Sequence, residues 1–218
     1  MPSLRFAEEI LLLLLDDKSG RFANVIESSL RCAIAGAVLM DLALENRIDT
    51  DPQQLVLVDA APVGDDLLDP TLADIARAPE TRDARYWVNR IAGDADRIRE
   101  IALQRLVERG ILHREDDRFL WVFRSRRYPV IDGEAEREVK LRIMEVLFSD
   151  VIPAPRDVVI IGLADSCGLF GVLLSRRELQ RVAERIEQVR KLDLIGQAVI
   201  QTVAEIDLAI SGAMRTII

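Results

Sequence analysis

The sequence predicts a mainly α-helical protein that folds as one helical-bundle domain with a projecting β-hairpin. Hydrophobic residues make up 50% of the 218 residues, so the chain can bury a large core. An apolar stripe between residues 26 and 42 is typical of an amphipathic helix. Residues 111–123 contain two short apolar runs around an acidic turn, which predicts a hairpin. No repeat or linker divides the chain, so we expect one domain over residues 1–218.

Two helices are expected at the start of the chain. The first covers residues 4–15 and ends in a polar turn at residues 16–20. A long second helix follows to about residue 45, and its stripe at i, i+4 spacing consists of Ile26, Leu30, Ile34, Val38 and Leu42. Small residues around Gly36 indicate that another helix crosses this one closely.

The middle of the chain alternates strand and helix patterns. Residues 55–58 lie between two prolines and predict a short strand. Asp69, followed by a proline, has the pattern of an N-cap, and helices near 83–92 and 95–109 come after the helix that it opens. Gly110 ends the last of them in a left-handed C-cap position.

The predicted hairpin follows this glycine directly. Residues 111–113 are its first strand, residues 115–117 its turn and residues 119–123 its second strand. From Gly133 the chain is helical again, with one interruption by two prolines, and it ends in an apolar helix around 193–212.

The sequence contains no catalytic constellation. It lacks a glycine-rich phosphate loop, HExxH, a paired CxxC and GxSxG. Nothing places the only histidine, His113, beside Cys167, so we expect a buried, inert thiol there. We therefore expect neither an enzyme nor a cofactor or metal site. Two cysteines without framework spacing, and no signal peptide, favour a cytoplasmic location.

Positive charge is concentrated around the predicted hairpin. A net charge of −8 disfavours general affinity for nucleic acid or anionic membranes, so such binding needs a local patch. Between residues 97 and 127, arginines outnumber acids and aromatic residues interleave with them, which suits a membrane surface. The predicted contacts are Trp121, Phe123, Arg124, Arg126 and Arg127. Alternatively, these aromatic residues cover the helical core and the arginines are solvated.

A DNA-binding alternative is less favoured. Residues 95–123 follow the helix, strand, turn and strand outline of a winged helix, which would place a helix in the major groove. Acidic residues on that helix, among them Asp96 and Glu100, would repel a duplex. We therefore expect no nucleic-acid partner.

Several segments together resemble the Golgi phosphoprotein 3 family. These segments are residues 4–13, 17–20, 39–44 with 47–48, 61–72, Trp87 with Gly93, and 106–112, and they follow the family's order and spacing. The resemblance covers the first 125 residues well and the remainder mainly in helical pattern. It implies a mostly helical fold with a hairpin, and a non-enzymatic protein, peripheral to membranes, that binds phosphatidylinositol 4-phosphate.

The resemblance also implies partners. Eukaryotic members hold Golgi glycosyltransferases by their cytoplasmic tails, and a hairpin contributes to self-association. We therefore expect an anionic membrane lipid (a phosphoinositide or another inner-leaflet anion), membrane-protein tails and a homo-oligomer. The arginine-rich composition favours a bacterial source, where a Golgi role cannot apply. The alternative is a protein-interaction module that keeps the fold without binding lipid.

The family's headgroup pocket, a tryptophan with several arginines, is only partly matched. Its positions fall on Ile26, Ala35, Asp96 and Arg99, so one arginine is retained. Arg31 lies one helical turn before Ala35, and Arg97 adjoins Asp96, so both can replace lost charge. The predicted headgroup-binding residues are Arg99, Arg97 and Arg31.

Overall fold

The computed structural model describes residues 3–16, 20–116, 126–131 and 133–215, without the side chains of residues 116, 126, 127 and 207–215. The described residues form ten helices and two small antiparallel sheets of two strands each. The predicted mainly α class with a hairpin is confirmed. None of the helices in these ranges combines the length and apolar character needed to cross a bilayer.

The elements are named in chain order. The helices are α1 (Phe6–Leu14), α2 (Glu27–Leu44), α3 (Asp69–Arg77), α4 (Ala84–Ala92), α5 (Ala95–Glu108), α6 (Glu134–Phe148), α7 (Pro155–Ser166), α8 (Phe170–Leu173), α9 (Arg176–Arg190) and α10 (Leu194–Arg215). The strands are β1 (Ile48–Thr50), β2 (Leu55–Leu57), β3 (Glu115–Asp116) and β4 (Arg126–Arg127).

Helix α2 is the centre of the core. It packs against α1, α4, α5, α7 and α10, and its middle is buried on all sides. At Gly36 a Cβ atom would lie 2.4 Å from Cγ2 of Val199 on α10 and 3.0 Å from Cδ2 of Leu163 on α7. The close helix crossing predicted at Gly36 is therefore confirmed.

Helix α1 is buried along its whole length, including two carboxylates. Arg156 and Arg142 hold the side chain of Glu9 at 3.0 and 3.3 Å, and Arg109 lies 3.7 Å from Glu8. These arginines come from α7, α6 and the end of α5. Glu8 and Glu9, which precede the leucines at positions 11–15, are therefore neutralised by arginines inside the protein instead of facing solvent.

The start of α2 differs from the prediction. The helix begins at Glu27, because residues 20–26 form no helix and bond instead to the end of α1, where Ala23 N donates to Leu14 O at 2.7 Å. Gly20 has a φ of +62°, and its carbonyl accepts the N–H of Tyr128 at 2.8 Å. Ile26 is therefore the N-cap and is 61% exposed, so the predicted core stripe starts at Leu30.

Strand β1 was not predicted, whereas β2 confirms the strand expected at residues 55–58. Asp69 was predicted as an N-cap, but it is the first residue of α3, and its carboxylate faces the preceding loop. That carboxylate accepts the N–H groups of Val63 at 2.8 Å, Gly64 at 3.0 Å and Asp65 at 3.1 Å. Asp69 therefore organises a loop as well as opening a helix.

The hairpin is present with a different register. Glu115 and Asp116, predicted as turn residues, form strand β3 and pair with Arg127 and Arg126, so the predicted turn position is wrong. An isolated bridge between Leu112 and Val130 continues the pairing toward the helices. The predicted second strand at 119–123 lies outside the described residues.

Candidate anion-binding site

Helices α2 and α5 bring two of the three predicted headgroup residues together. Arg31 and Glu27 lie in the first turns of α2, and Asp96 and Arg99 lie in the first turns of α5. Arg31 forms an ion pair with Asp96, and its Nη1 donates to the carbonyl of Ala92 at 3.2 Å. Arg99 donates to Oδ1 of Asp96 at 2.8 Å and to Oε1 of Glu27 at 3.1 Å.

These four side chains, here called the α2–α5 cluster (Glu27, Arg31, Asp96 and Arg99), neutralise one another. The two carboxylates are more than half exposed, whereas Arg31 is 32% exposed and Arg99 is 29% exposed. Exposed ion pairs of this kind contribute about 0–1 kcal/mol each, so a solvent ion can replace a carboxylate at low cost. Exposed Ile26 precedes the cluster directly.

The pocket positions of the family therefore have different environments here. Ile26 is exposed, Ala35 is fully buried in the core, and Asp96 and Arg99 are in the α2–α5 cluster. The guanidinium of Arg31, one helical turn before Ala35, lies beside Asp96. Asp96 was not predicted as its ion-pair partner, although the sequence places an acid at this position.

Arg97 does not join the α2–α5 cluster. It lines a separate cleft of about 400 Å³ between α3, α4 and the start of α5. The residues that line this cleft are Pro70, Thr71, Asp74, Arg77, Trp87, Arg90, Ile91, Asp94 and Arg97. Adjacent positions on a helix point about 100° apart, so Arg97 and Asp96 face different neighbours.

The predicted hairpin contacts are described only in part. Trp121, Phe123 and Arg124 lie outside the described residues, and Arg126 and Arg127 are described only as backbone of β4. Tyr128, which ends this aromatic and basic run, is buried, and its ring lies 6.3 Å from that of Phe22. The side chain of Tyr128 therefore covers the helical core instead of contacting a membrane surface.

Reactive side chains are few in the described part of the chain. No group of three or more His, Cys, Asp or Glu residues there has the arrangement to hold a metal ion. Cys32 and Cys167 are both buried, and neither forms a disulfide bond within the described residues. Burial raises the pKa of the Cys167 thiol to about 11, so the sulfur stays protonated at neutral pH and is a poor nucleophile.

Asp41 is a buried titratable residue in the middle of α2. Its side chain is 1% exposed in the middle of α2, where Oδ2 accepts the N–H of Phe6 at 2.9 Å. Arg5 lies 3.8 Å from Oδ1, and no group in the described part of the chain donates a hydrogen bond to this atom. Burial raises the pKa of Asp41 to about 7. In the sequence, an acid among apolar residues in the middle of a predicted helix is the pattern that indicates such a buried carboxyl.

Comparison with known proteins identifies a family model and two curated relatives that are similar to this chain. Residues 6–206 match the model of a family described as Golgi phosphoprotein 3 (GPP34). The chain is 28% identical over 167 residues to the vacuolar protein sorting-associated protein 74 of Eremothecium gossypii, covering 67% of this chain and 50% of that protein. The protein of the same name from Schizosaccharomyces pombe is 28% identical over 172 residues, covering 69% of this chain and 50% of that relative.

The chain thus spans half the length of each of these two curated relatives. The family match, by contrast, covers nearly all of the chain, from the start of α1 to well inside α10. It also agrees with the resemblance seen in the sequence segments. The protein therefore belongs to the Golgi phosphoprotein 3 family.

Proposed function

We propose that the protein is a non-enzymatic, peripheral membrane-binding protein that binds anionic phospholipid headgroups. The observation that carries this proposal is the convergence of Arg31 and Arg99 on one partly exposed surface at the family's pocket positions. Guanidinium groups form strong, charge-assisted hydrogen bonds with phosphate oxygens. Ile26, exposed beside them, can enter the apolar edge of the headgroup layer.

The two carboxylates of the α2–α5 cluster limit its selectivity among anionic lipids. Glu27 and Asp96 already occupy the guanidinium groups, so the α2–α5 cluster has no net charge before a lipid arrives. An anionic headgroup therefore competes with two carboxylates, and binding is expected to be weak and sensitive to salt. We propose that phosphatidylinositol 4-phosphate, the lipid implied by the family, is bound as one anionic lipid among several.

The arginines and aromatic residues of the hairpin sequence support the same function. Trp121, Phe123, Arg124, Arg126 and Arg127 have the composition of a membrane-interface contact. A second contact matters because the protein carries a net charge of −8, so long-range attraction to an anionic membrane is absent. Two local contacts on one chain raise the overall affinity through effective concentration.

Vesicle co-sedimentation tests this function. Vesicles of phosphatidylcholine alone are compared with vesicles that also contain phosphatidylserine, cardiolipin or phosphatidylinositol 4-phosphate, at low and high salt. We expect recruitment by each anionic lipid at low salt and loss of recruitment at high salt. Absence of recruitment by all anionic lipids at low salt would contradict the proposal.

Charge variants of the α2–α5 cluster assign the site. One charge near an anionic surface is worth about 1 kcal/mol, so Arg99→Ala should weaken recruitment roughly fivefold. Asp96→Asn and Glu27→Gln should each strengthen it by a similar factor, because each removes a competing carboxylate. Arg137→Ala is the matched control, since Arg137 is an exposed arginine of α6. Equal losses of recruitment in Arg99→Ala and Arg137→Ala would show that the α2–α5 cluster is not the lipid-binding site.

As a second candidate function, we propose a protein-interaction module that self-associates through the loop after α6. Ile152 is 89% exposed there, and Phe148 and Val151 are exposed beside it. Arg185 holds this loop in place, because it donates to the carbonyls of Val146 at 3.2 Å and Val151 at 2.5 Å. A fixed, exposed apolar loop is typical of a contact with another protein.

Sedimentation equilibrium tests the second candidate. We expect the wild-type protein to self-associate and Ile152→Ser to shift the distribution toward monomer, because it removes apolar area from the contact. Leu192→Ser is the control, since Leu192 is a similarly exposed apolar residue in the turn between α9 and α10. A monomeric wild-type protein at high concentration would exclude this candidate.

A further inference from the structure

We propose that the cleft between α3, α4 and the start of α5 binds a phosphodiester group, with Arg97 as its principal contact. This proposal deepens the proposed function by naming a headgroup subsite, and it rests on that function only for the lipid origin of the ligand. The cleft is distinct from the α2–α5 cluster, because no residue of that cluster lines it. Its volume of about 400 Å³ is in the range of small-ligand sites.

Three guanidinium groups line the cleft. Arg77 and Arg90 each contact Asp74 at 3.4 Å, long distances that leave much of their donor capacity unused. Arg97 is exposed, and its guanidinium has no hydrogen-bond or ion-pair partner in the described ranges. An arginine presents five N–H donors, so this side chain can bind two oxygens of one phosphate group.

The cleft wall also contains two uncharged donors, the indole N–H of Trp87 and the hydroxyl of Thr71. Trp87 is 3% exposed and Thr71 is buried, and both line the cleft. Neither the indole N–H of Trp87 nor the hydroxyl of Thr71 has a hydrogen-bond partner within the described residues. These donors can therefore bond to a ligand in the cleft that supplies acceptor oxygens.

The charges around the cleft select the class of phosphate. The three arginines are opposed by Asp74 and Asp94, which leaves a net charge of +1. A phosphodiester carries one negative charge and matches this balance, whereas a phosphomonoester adds a second charge that the two carboxylates repel. Asp94 makes no side-chain capping bond. Its carboxylate can therefore accept a hydrogen bond from a hydroxyl or ammonium group on the alcohol side of the diester.

The chain provides its own reporter for this cleft. It contains two tryptophans, Trp87 and Trp121, so a Trp121→Phe background leaves the cleft residue as the only indole. Glycerophosphoglycerol, a soluble phosphodiester with free hydroxyl groups, is titrated while the emission of Trp87 is followed. Inorganic phosphate at the same ionic strength is the comparison ligand. We expect saturable binding of the diester and weaker binding of inorganic phosphate.

Variants in this background test the named contacts. Loss of a hydrogen bond to a charged group should weaken diester binding about tenfold in Arg97→Ala. Asp94→Asn should change the preference toward inorganic phosphate, because one opposing charge is removed. Arg137→Ala should bind the diester as the background protein does. Circular dichroism checks that each variant is folded. Unchanged affinity in folded Arg97→Ala, or absence of any saturable response to the diester, would overturn the proposal.

Phosphatidylglycerol vesicles separate the two sources of the ligand. Recruitment to these vesicles that falls in Arg97→Ala, together with binding of the soluble diester, supports a lipid headgroup as the ligand. Binding of the soluble diester without recruitment to any anionic vesicle supports the cleft as a site for a soluble ester and contradicts the proposed membrane function. Recruitment that is equal in wild type and Arg97→Ala, without binding of the soluble diester, overturns the cleft site and leaves the membrane function standing.

Discussion

The wild-type protein is expected to lose stability as the pH rises from about 4 to about 7, because Asp41 is buried. Burial raises its pKa from 3.8 to about 7, so between these values the folded protein holds a proton that the unfolded chain has released. The stabilisation is complete below pH 3.8 and is lost as the pH rises through 7. The contribution of Asp41 to the free energy of unfolding should fall by about 4 kcal/mol across this range.

The variant Asp41→Asn isolates this effect from other carboxyls. Burial also raises the pKa values of Glu8 and Asp193, which gives the same sign of pH dependence. Urea unfolding at pH 5, 6, 7 and 8 should show a clearly flatter profile for Asp41→Asn than for wild type. Asp150→Asn, at an exposed position, should leave the profile unchanged. Parallel profiles for wild type and Asp41→Asn would contradict the assignment.

Gly36→Ala is expected to destabilise the protein by about 2 kcal/mol, because overpacking a close helix contact typically costs 1–3 kcal/mol. The added methyl group would overlap Val199 and press on Leu163, so α7 and α10 must move away from α2. Alanine has the higher helix propensity by about 1 kcal/mol, and the observed sign therefore reports the packing directly. Urea unfolding at constant pH measures the change.

Gly162→Ala is the matched control for this substitution. Gly162 also lies inside a helix, α7, but a Cβ atom there would meet no other heavy atom within 4 Å. Because only the helix propensity changes, Gly162→Ala should stabilise the protein by up to about 1 kcal/mol. If both glycine variants were stabilised, the close approach of α2 and α10 would be wrong.

Regular elements of the fold were predictable because each has a local cause. The i, i+4 stripe from Leu30 to Leu42 and the small side chains around Gly36 specify α2 and its close neighbour. The start of α2 was not predictable in this way, because Gly20 and Ala23 in the segment before it bond to Tyr128 and Leu14 instead of continuing the helix. Such long-range bonds leave no periodic pattern in the sequence.

The candidate site was predictable in its residue types but not in its geometry. Helical spacing predicts that Arg31 reaches toward the family's pocket positions, and in the structure Arg31 pairs with Asp96. Spacing alone did not show that Arg97 faces α3 and α4, because this depends on how α5 is rotated against its neighbours. Likewise, Trp87 was singled out for the family pattern, and its place in a cleft with three arginines required the fold.

Helix α1 is synthesised before all of the helices that bury it. Its neighbours α2, α5, α6 and α7 all follow it in the chain, and the bonds from Arg142 and Arg156 to Glu9 span more than 130 residues. The leucines at positions 11–15 therefore leave the ribosome long before the helices that cover them. Until α7 has been made, this segment is an exposed apolar helix of the kind that chaperones bind and that aggregates when it is left uncovered.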